Sequence, residues 1–512
     1  MHNKKFKIGT RGSLLALTQC NQIKDELERV TGKEFELEVI KTQGDLIVDK
    51  PLWQLDGKDF FTKELDHALL TGAVDLVVHS YKDLGSERPE GITLGAVTKR
   101  TYAHDILFIR NETKDKLNDM TEFVVGTSSP RRITNLEKNL SRFIPSKNEL
   151  KVSTKMLRGN VNTRIQKLVD GDYDAIVLAL PGIERLALTD SSLEQLKVLL
   201  KDLDYMILPQ TIFPSAASQG ALGIECLETN EEMKTLLKKV EDKDTVDEIV
   251  RERSAFASYG GGCHLAVGIN VRKFEDSYIH IHQGKTETEE ISEMKLENVT
   301  KTFEGNSNLS FIGLPKDKLN HKASLADELT VKTPVSTEEE TKKRDLFVTS
   351  SYCIESLSSF KNIENLWAAG TKTMELLADN GYWVNGTSDS LGEKELEILR
   401  SSNCIAQMRE KSPLAVLSHN NATTEIGELS VSYKRETKEV SNKYLEKLEA
   451  TEIFYWTSFP QYEDFIKVCP SIKEKYHCCG LGKTYTRFKQ AGIQIRAFSG
   501  LSEFKNYLEK GK

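Results

Sequence analysis

The stretch AVDLVVHSYKDL, residues 73–84, decides the fold. Its apolar run reads as a buried strand over 73–80, and the change to Tyr-Lys-Asp marks where that strand ends. Outward in both directions the theme repeats. Phe6 to Gly9 reads as a strand, Ser13 to Val30 as a helix, Phe35 to Ile40 as a second strand and Phe61 to Leu70 as a helix. Downstream, FVVGTSS (123–129) leads into a helix from about Arg131, and YDAIVLAL (173–180) follows another helix. Strands flanked by helices imply parallel sheets covered on both faces. Ligands of such sheets bind where strands end and helices begin.

A chain of 512 residues exceeds one core, so two to four domains are expected. Hydrophobic residues make up 38% and charged residues 29%, ordinary for a soluble globular protein. The net charge of −7 argues against broad nucleic-acid binding but leaves room for a local basic cleft. MHNKKFKIGT runs straight into a strand-like segment, with no apolar signal region and no bilayer-length run. A cytoplasmic protein without a membrane partner is therefore expected. Eight cysteines, none spaced as CxxC, point to free thiols and no metal site.

Five features fall at strand-to-helix junctions. GTRGS (9–13) holds Arg11 and Ser13, and HSYKDL (79–84) holds Lys82 and Asp83. GTSSPRR (126–132) sets Ser128, Ser129, Arg131 and Arg132 at a helix start. LRGNVNTR (157–164) carries Arg158 and Arg164, and PGIER (181–185) carries Arg185. Free N–H groups at helix starts favour anions, and guanidinium forks match carboxylates. Six arginines so placed suggest a ligand with many carboxylates or phosphates. Asp83 either pairs with them, or holds N–H donors and steadies a cation that develops during reaction.

RSAFASYGGGCHLAVG (253–268) puts Cys263 behind three glycines. They either relieve a tight turn or clear space for a bulky group on the sulfur. GLGKT (480–484) imitates the end of a phosphate-binding loop, but His477 stands where that loop needs glycine, so ATP binding is not expected.

Together these residues resemble the porphobilinogen deaminase (hydroxymethylbilane synthase) family over about residues 5–325. The likeness rests on GTRGSLLALTQ, DGKDFFTKELDHALL, DLVVHSYKDL, GTSSPRR, LRGNVNTRIQKL, YDAIVLALPGIERL, SQGALGIEC and ERSAFASYGGGCHLAVG, in family order. The resemblance implies a dipyrromethane cofactor on Cys263, with the small residues at 260–262 making room for it. It implies head-to-tail joining of four porphobilinogen molecules into hydroxymethylbilane, with loss of ammonia. Asp83 would be catalytic, holding pyrrole N–H groups and stabilising the cationic azafulvene. Arg11, Ser13, Lys82, Ser128, Ser129, Arg131, Arg132, Arg158, Arg164 and Arg185 would bind carboxylates, and Lys58 would sit in a mobile loop. The departures are Tyr81, Leu84-Gly85, Gln54, Pro130 and the GKDFF form of the loop. The implied fold has two periplasmic-binding-protein-like lobes, residues 1–103 with 202–224 and residues 104–201. A small α+β third domain would cover 225–325. A monomer is implied for this part.

Residues 284–345 are polar and charge-rich, and a linker is expected over 326–344. A second α/β module then starts at DLFVTSS (345–351). It holds a weak repeat: LFVTSS (346–351) recurs as FYWTSF (454–459), and KTMELLADNGYWV (372–384) as KTYTRFKQAGIQI (483–495). Two similar lobes would explain it. The module, 345–512, resembles the uroporphyrinogen-III synthase family through FVTSS, AAGTKTMELLADNG, SDSLGE, PLAVLSH, SVSYKRE, YWTS and GLGKTYTRFKQAG. That implies cyclisation of hydroxymethylbilane, with Tyr433 assisting loss of the hydroxyl and Ser458 and Thr484 lining the cleft. The strand–helix–strand unit that opens this family is missing before DLFVTSS. Either the fold closes without it, another segment replaces it, or the module is inactive. Two rivals stand beside the bifunctional reading: a deaminase with a regulatory tail, and a two-lobed polycarboxylate-binding protein.

Overall fold

The computed structural model describes residues 5–42, 62–85, 87–262, 264–297, 309–319 and 324–510. They form two compact units. The first takes residues 1–273, 281–293 and 401–410, and the second takes 274–280, 294–400 and 411–512. Among the described residues no helix is long and apolar enough to cross a membrane.

The first unit opens with β1 (Lys5–Thr10), β2 (Glu34–Val39), β3 (Leu76–Ser80) and β4 (Ile92–Val97). The chain crosses at 98–104 into β5 (Asp105–Arg110), β6 (Glu122–Gly126), β7 (Lys151–Lys155), β8 (Ala175–Ala179) and β9 (Leu203–Ile207). It returns at 208–221 into β10 (Leu222–Leu227). The two sheets run β2-β1-β3-β10-β4 and β7-β6-β8-β5-β9. Each is parallel at one end and carries one antiparallel member, β10 or β5, against its neighbours. These are two α/β lobes joined by a double crossing.

The quoted strand sits at the centre. Leu76 and Val78 of β3 pack with Phe6, Ile8 and Ile224 against Cys20, Ile23 and Leu27. Those three share one face of the helix Leu14–Thr31, whose 3.6-residue period brings them into line. Ser13 starts that helix by accepting the Ala16 N–H at 3.3 Å, and Gly32 ends it in the left-handed region at φ 66°.

The lobe boundaries differ from the sequence expectation. β9, expected within 202–224 of the first lobe, is the edge strand of the second sheet. Residues 225–227 of β10 and the helix Glu231–Leu237, expected in a third domain from 225, stay with the first sheet, where Met233 and Leu237 are fully buried. The apolar face of that helix has no other sheet to cover. Beyond it, the helix Lys243–Ser258 leads to a three-stranded sheet of β11 (Ala266–Phe274), β12 (Ser277–Lys285) and β13 (Glu290–Leu296).

In the second unit, β14 (Ser310–Ile312), β15 (Ser324–Leu325) and β16 (Thr330–Pro334) come first. β17 (Arg344–Val348), β18 (Ile363–Ala368), β19 (Gly386–Thr387), β20 (Leu414–His419) and β21 (Glu428–Thr437) follow. β22 (Ile453–Trp456), β23 (Tyr476–Cys479) and β24 (Arg496–Ala497) complete the second lobe. The sheets run β16-β21-β20-β17-β18-β19 and β15-β14-β22-β23-β24. The repeat is real: β17-β18-β19 and β22-β23-β24 occupy matching places, and Ser350 and Ser458 share φ −157° and ψ 154°.

The expected linker is not one. Thr330 to Pro334 pairs antiparallel with Tyr433 to Thr437, and β14 pairs parallel with β22. β14 takes the position in its sheet that β20 takes in the other. Residues 310–334 thus replace the unit that seemed missing, and residues 310–325 leave the expected third domain. The physical reason is hydrogen bonding: without β14, β22 would present an unpaired edge.

Residues 401–410, expected in the C-terminal module, belong to the first unit. The Glu184 carboxylate, on the helix Leu180–Ala187, caps the helix Asn403–Met408. It accepts from Ser402 Oγ, Asn403 N and Asn403 Nδ2, each at 2.7 Å, and from Cys404 N at 3.2 Å. Arg409 meets Asp204 at 3.2 Å.

Candidate functional site

The first site lies where the lobes of the first unit face each other. β3 ends in a 3-10 turn, Tyr81–Asp83. Tyr81 is buried while Asp83 stays exposed. Arg253, from the helix Lys243–Ser258, pins this turn: its guanidinium donates to the carbonyls of Leu84 at 3.2 Å and Gly85 at 3.0 Å, and lies 4.8 Å from the Tyr81 ring centroid. The unusual Tyr81 is thus the face on which Arg253 rests. Among the described residues Asp83 makes no hydrogen bond or ion pair, so its carboxylate remains open to an incoming donor.

Lys82 points the other way. Its Nζ donates to Gln219 Oε1 at 3.2 Å. Gln219 Nε2 in turn donates to Asp105 Oδ1 at 2.9 Å and to the Ala103 carbonyl at 2.7 Å. Burial lowers the Lys82 ammonium to about 8; Arg132 and Arg131 add to the effect, and Asp83 and Asp105 oppose it.

Arg131 and Arg132 are not free carboxylate binders. Arg132 grips Asp105 through two bonds, at 2.7 and 3.0 Å, and also donates to the Val177 carbonyl. Arg131 holds Asp105 at 2.8 Å and the Pro214 carbonyl at 2.6 Å. Both are buried. The two guanidiniums hold the Asp105 carboxyl far below the usual carboxylate range against the cost of its burial. Pro130 does not disturb the motif, since it takes the first turn of the helix Pro130–Asn139, where its missing N–H costs nothing.

Arg158, Arg164 and Arg185 are half-buried. Arg164 Nε donates to the Gly159 carbonyl at 2.7 Å, and burial lowers its guanidinium to about 10, helped by Arg132 and Arg158 and opposed by Asp83. Arg158 has no side-chain partner among the described residues, and burial lowers it too. Arg185 donates to the Gly220 carbonyl at 2.5 Å and is lowered by burial to about 10. Lys82, Asp83, Arg132, Arg158 and Arg164 therefore feel one another across the cleft. Of the serines, Ser13 is spent on its helix cap, and Ser128 exchanges hydrogen bonds with the Leu157 backbone at 2.8 and 3.1 Å. Ser129 is the residue before the helix Pro130–Asn139. Arg11 is half-buried just after β1.

Cys263 and Lys58 lie outside the described residues. The approach to Cys263 is described: Gly260, Gly261 and Gly262 have φ of 95°, 59° and 91°. A Cβ on Gly260 would meet nothing within 4 Å, so conformation and not space requires glycine there. The seven described cysteines are buried and free. Burial pushes Cys20 and Cys478 up to about 12 and Cys226 and Cys353 to about 11. Among the described residues no His, Cys, Asp and Glu cluster could hold a metal.

Sequence reasoning missed Asp105, Gln219 and Arg253. An acid opening the apolar run DILFIR was the available signal for Asp105. Gln219 was visible only as part of SQGALGIEC.

A second cleft, of about 750 Å³, opens between the two lobes of the second unit. Tyr433, Ser458 and Thr484 all line it. Tyr433 is buried, and its ring lies 5.4 Å from Tyr352 and 5.7 Å from His419. Burial pushes the phenol well above its ordinary value. His419, unremarked in the sequence, is lowered to about 4 by burial, with Arg435, Lys332 and Lys483 adding to it, so it is neutral at pH 7.

Comparison with known proteins places the first unit. Residues 6–235 match the family model "Porphobilinogen deaminase, dipyromethane cofactor binding domain". A porphobilinogen deaminase of Nitratiruptor sp. is 41% identical over 276 residues, 54% of this chain and 81% of that protein. Those of Synechococcus elongatus and Staphylococcus saprophyticus are 37% and 36% identical over 270 and 278 residues, 52% and 54% of this chain and 78% and 83% of theirs. A polar amino acid ABC uptake transporter substrate binding protein from Streptococcus thermophilus aligns with 46% of this chain and 78% of its own, at 13% identity and a TM-score of 0.26. The matched domain is one that binds a dipyrromethane cofactor.

Proposed function

The chain belongs to the porphobilinogen deaminase family, and we propose that its first unit joins four porphobilinogen molecules head to tail into hydroxymethylbilane. The observation that carries this is an open carboxylate, Asp83, set among cations that protein acceptors do not exhaust. Pyrroles bearing acetate and propionate groups fit such a cleft: Lys82, Arg158, Arg164 and Arg185 take the acids, and Asp83 takes the pyrrole N–H groups. A dipyrromethane fits for the same reason, attached at Cys263. When bound, it supplies the nucleophilic pyrrole carbon from which the chain grows. In each round the aminomethyl C–N bond breaks and ammonia leaves, a C–C bond forms, and the attacked pyrrole carbon loses its proton; after four rounds one water would release the product, its hydroxyl becoming that of hydroxymethylbilane and its proton returning to the pyrrole carbon left behind. Asp83 stabilises the positive charge that develops as ammonia departs. Asp105 fixes Arg131 and Arg132 as a rigid base beneath Lys82.

For the second unit we read cyclisation of the same product to uroporphyrinogen III. The bilobal repeat and the cleft with Tyr433 on its wall support this reading. Burial keeps the Tyr433 phenol protonated, so its O–H can donate to a departing hydroxyl. A regulatory tail would not need a polar cleft of this volume. A two-lobed binding protein would not need an adducted thiol.

Intact mass of the full chain tests the first activity. The native chain should weigh more than its residues by two pyrrole rings with their acid side chains, and Cys263→Ser should lose that mass and all ammonia release. A chain of bare polypeptide mass after incubation with porphobilinogen refutes it. The isomer formed from porphobilinogen tests the second: type III is expected, and type I alone refutes cyclisation.

A further inference from the structure

Six cations line the cleft of the second unit: Lys332, Lys372, Arg435, Lys467, Lys483 and Arg487. Four are already paired. Lys372 meets Glu375 at 3.5 Å, Lys483 meets Glu393 at 2.5 Å, and Arg435 and Lys467 share Asp464 at 2.5 and 3.1 Å. Lys332 and Arg487 make no ion pair among the described residues, although the Asp327 carboxylate acts on Lys332 from a distance and opposes the effect of its burial. Lys332 is half-buried, with its ammonium 4.7 Å from the Tyr352 ring centroid, and burial lowers it from the ordinary lysine value. Arg487 lies 5.3 Å from the Phe459 ring centroid and donates only to Thr423 Oγ1, at 3.3 Å.

The two come from opposite walls. Lys332 is on β16, in the six-stranded sheet, and Arg487 is on the helix Lys483–Gln490, which follows β23 of the five-stranded sheet. A partly desolvated cation that no carboxylate contacts is unfavourable, and a ligand that brings an anion relieves it. Two such cations facing one cleft call for one ligand with at least two separated anions. Tyr352, under Lys332, lies 5.4 Å from the Tyr433 ring, tilted at 38°, so an acid held there would lie beside the phenol.

We propose that Lys332 and Arg487 form a two-point carboxylate anchor, one point per lobe, for an extended pyrrole polycarboxylate. The class of ligand rests on the cyclisation reading above. The anchor also means that the second site is incomplete without residues 326–334, which read as linker in the sequence.

The full-length chain and its Lys332→Gln, Arg487→Gln and Lys332→Arg variants test this. The probe is uroporphyrin III, a fluorescent octacarboxylate, titrated at fixed ionic strength. Each glutamine variant should weaken binding about tenfold or more, since each removes a charge-assisted contact. Lys332→Arg, which keeps the charge, should stay within about threefold. Ammonia release from porphobilinogen and the unfolding midpoint should not move. Binding unchanged in both glutamine variants overturns the anchor, as does a wild-type chain that does not bind the probe. If the variants weaken the probe while the wild-type chain yields only type I product, the anchor stands and the cyclisation reading falls.

Discussion

Replacing Asp105 by asparagine removes the one carboxylate that Arg131 and Arg132 share. Asp105 is 1% exposed, and Arg131 and Arg132 are 6% and 8% exposed. Three charge-assisted bonds to Arg131 and Arg132 weaken, as does the bond from Gln219. Two buried cations then lack their counter-charge. Breaking a buried pair from one side costs about 3–5 kcal/mol, or roughly a hundred- to several-thousand-fold in the opening equilibrium. Three of the four tryptophans, Trp367, Trp383 and Trp456, lie in the second unit, so tryptophan fluorescence would be dominated by the wrong transition. Hydrogen exchange of the β5 and β8 amides in the full chain reads the right one. The pH dependence carries a sign. The folded carboxyl titrates below its unfolded value, so its stabilisation is complete above about pH 4 and fades as the pH falls below that. The difference between wild type and Asp105→Asn should therefore be flat from pH 7 to about 4 and shrink below. A cost under about 1 kcal/mol, or tighter substrate binding in the variant, would refute the reasoning. It would mean that the arginines serve the ligand and not the scaffold.

Other outcomes follow from the same geometry. Asp83→Asn should lower kcat by about 10²–10³ with an unchanged unfolding midpoint, because the carboxylate serves a developing charge and holds no protein partner. Steady-state ammonia release with parallel thermal melts reads both quantities. The Lys82 ammonium is lost as the pH rises through about 8, so KM for porphobilinogen should climb above that pH, and Lys82→Gln should flatten the climb. A KM profile unchanged by that substitution contradicts the placement of Lys82. Glu184→Ala removes the cap of the helix Asn403–Met408 and should destabilise residues 401–410 by about 2 kcal/mol, read as faster hydrogen exchange there. Protection equal to wild type would contradict that role.

The strand–helix alternation was legible from the chain because burial leaves a periodic trace: Leu76, Val77 and Val78 could only be a covered strand. The clustering of cations at strand ends was legible too, since parallel sheets fix where strands stop. The individual roles were not. Arg131 and Arg132 looked like their neighbours Arg158 and Arg164, yet the first pair is spent on Asp105, which is 26 and 27 residues away in sequence. Whether a guanidinium is free depends on partners that only folding brings near. The same holds for residues 326–334, whose charged composition resembled a linker although Thr330 to Pro334 pairs with a strand a hundred residues later. An edge strand at a cleft has solvent on one side and carries polar residues for that reason. What the sequence alone determined was the covalent pattern of apolar runs and charges. What tertiary structure decided was which charges cancel one another and which remain for a ligand, because electrostatic pairing depends on distance in space and not on distance along the chain.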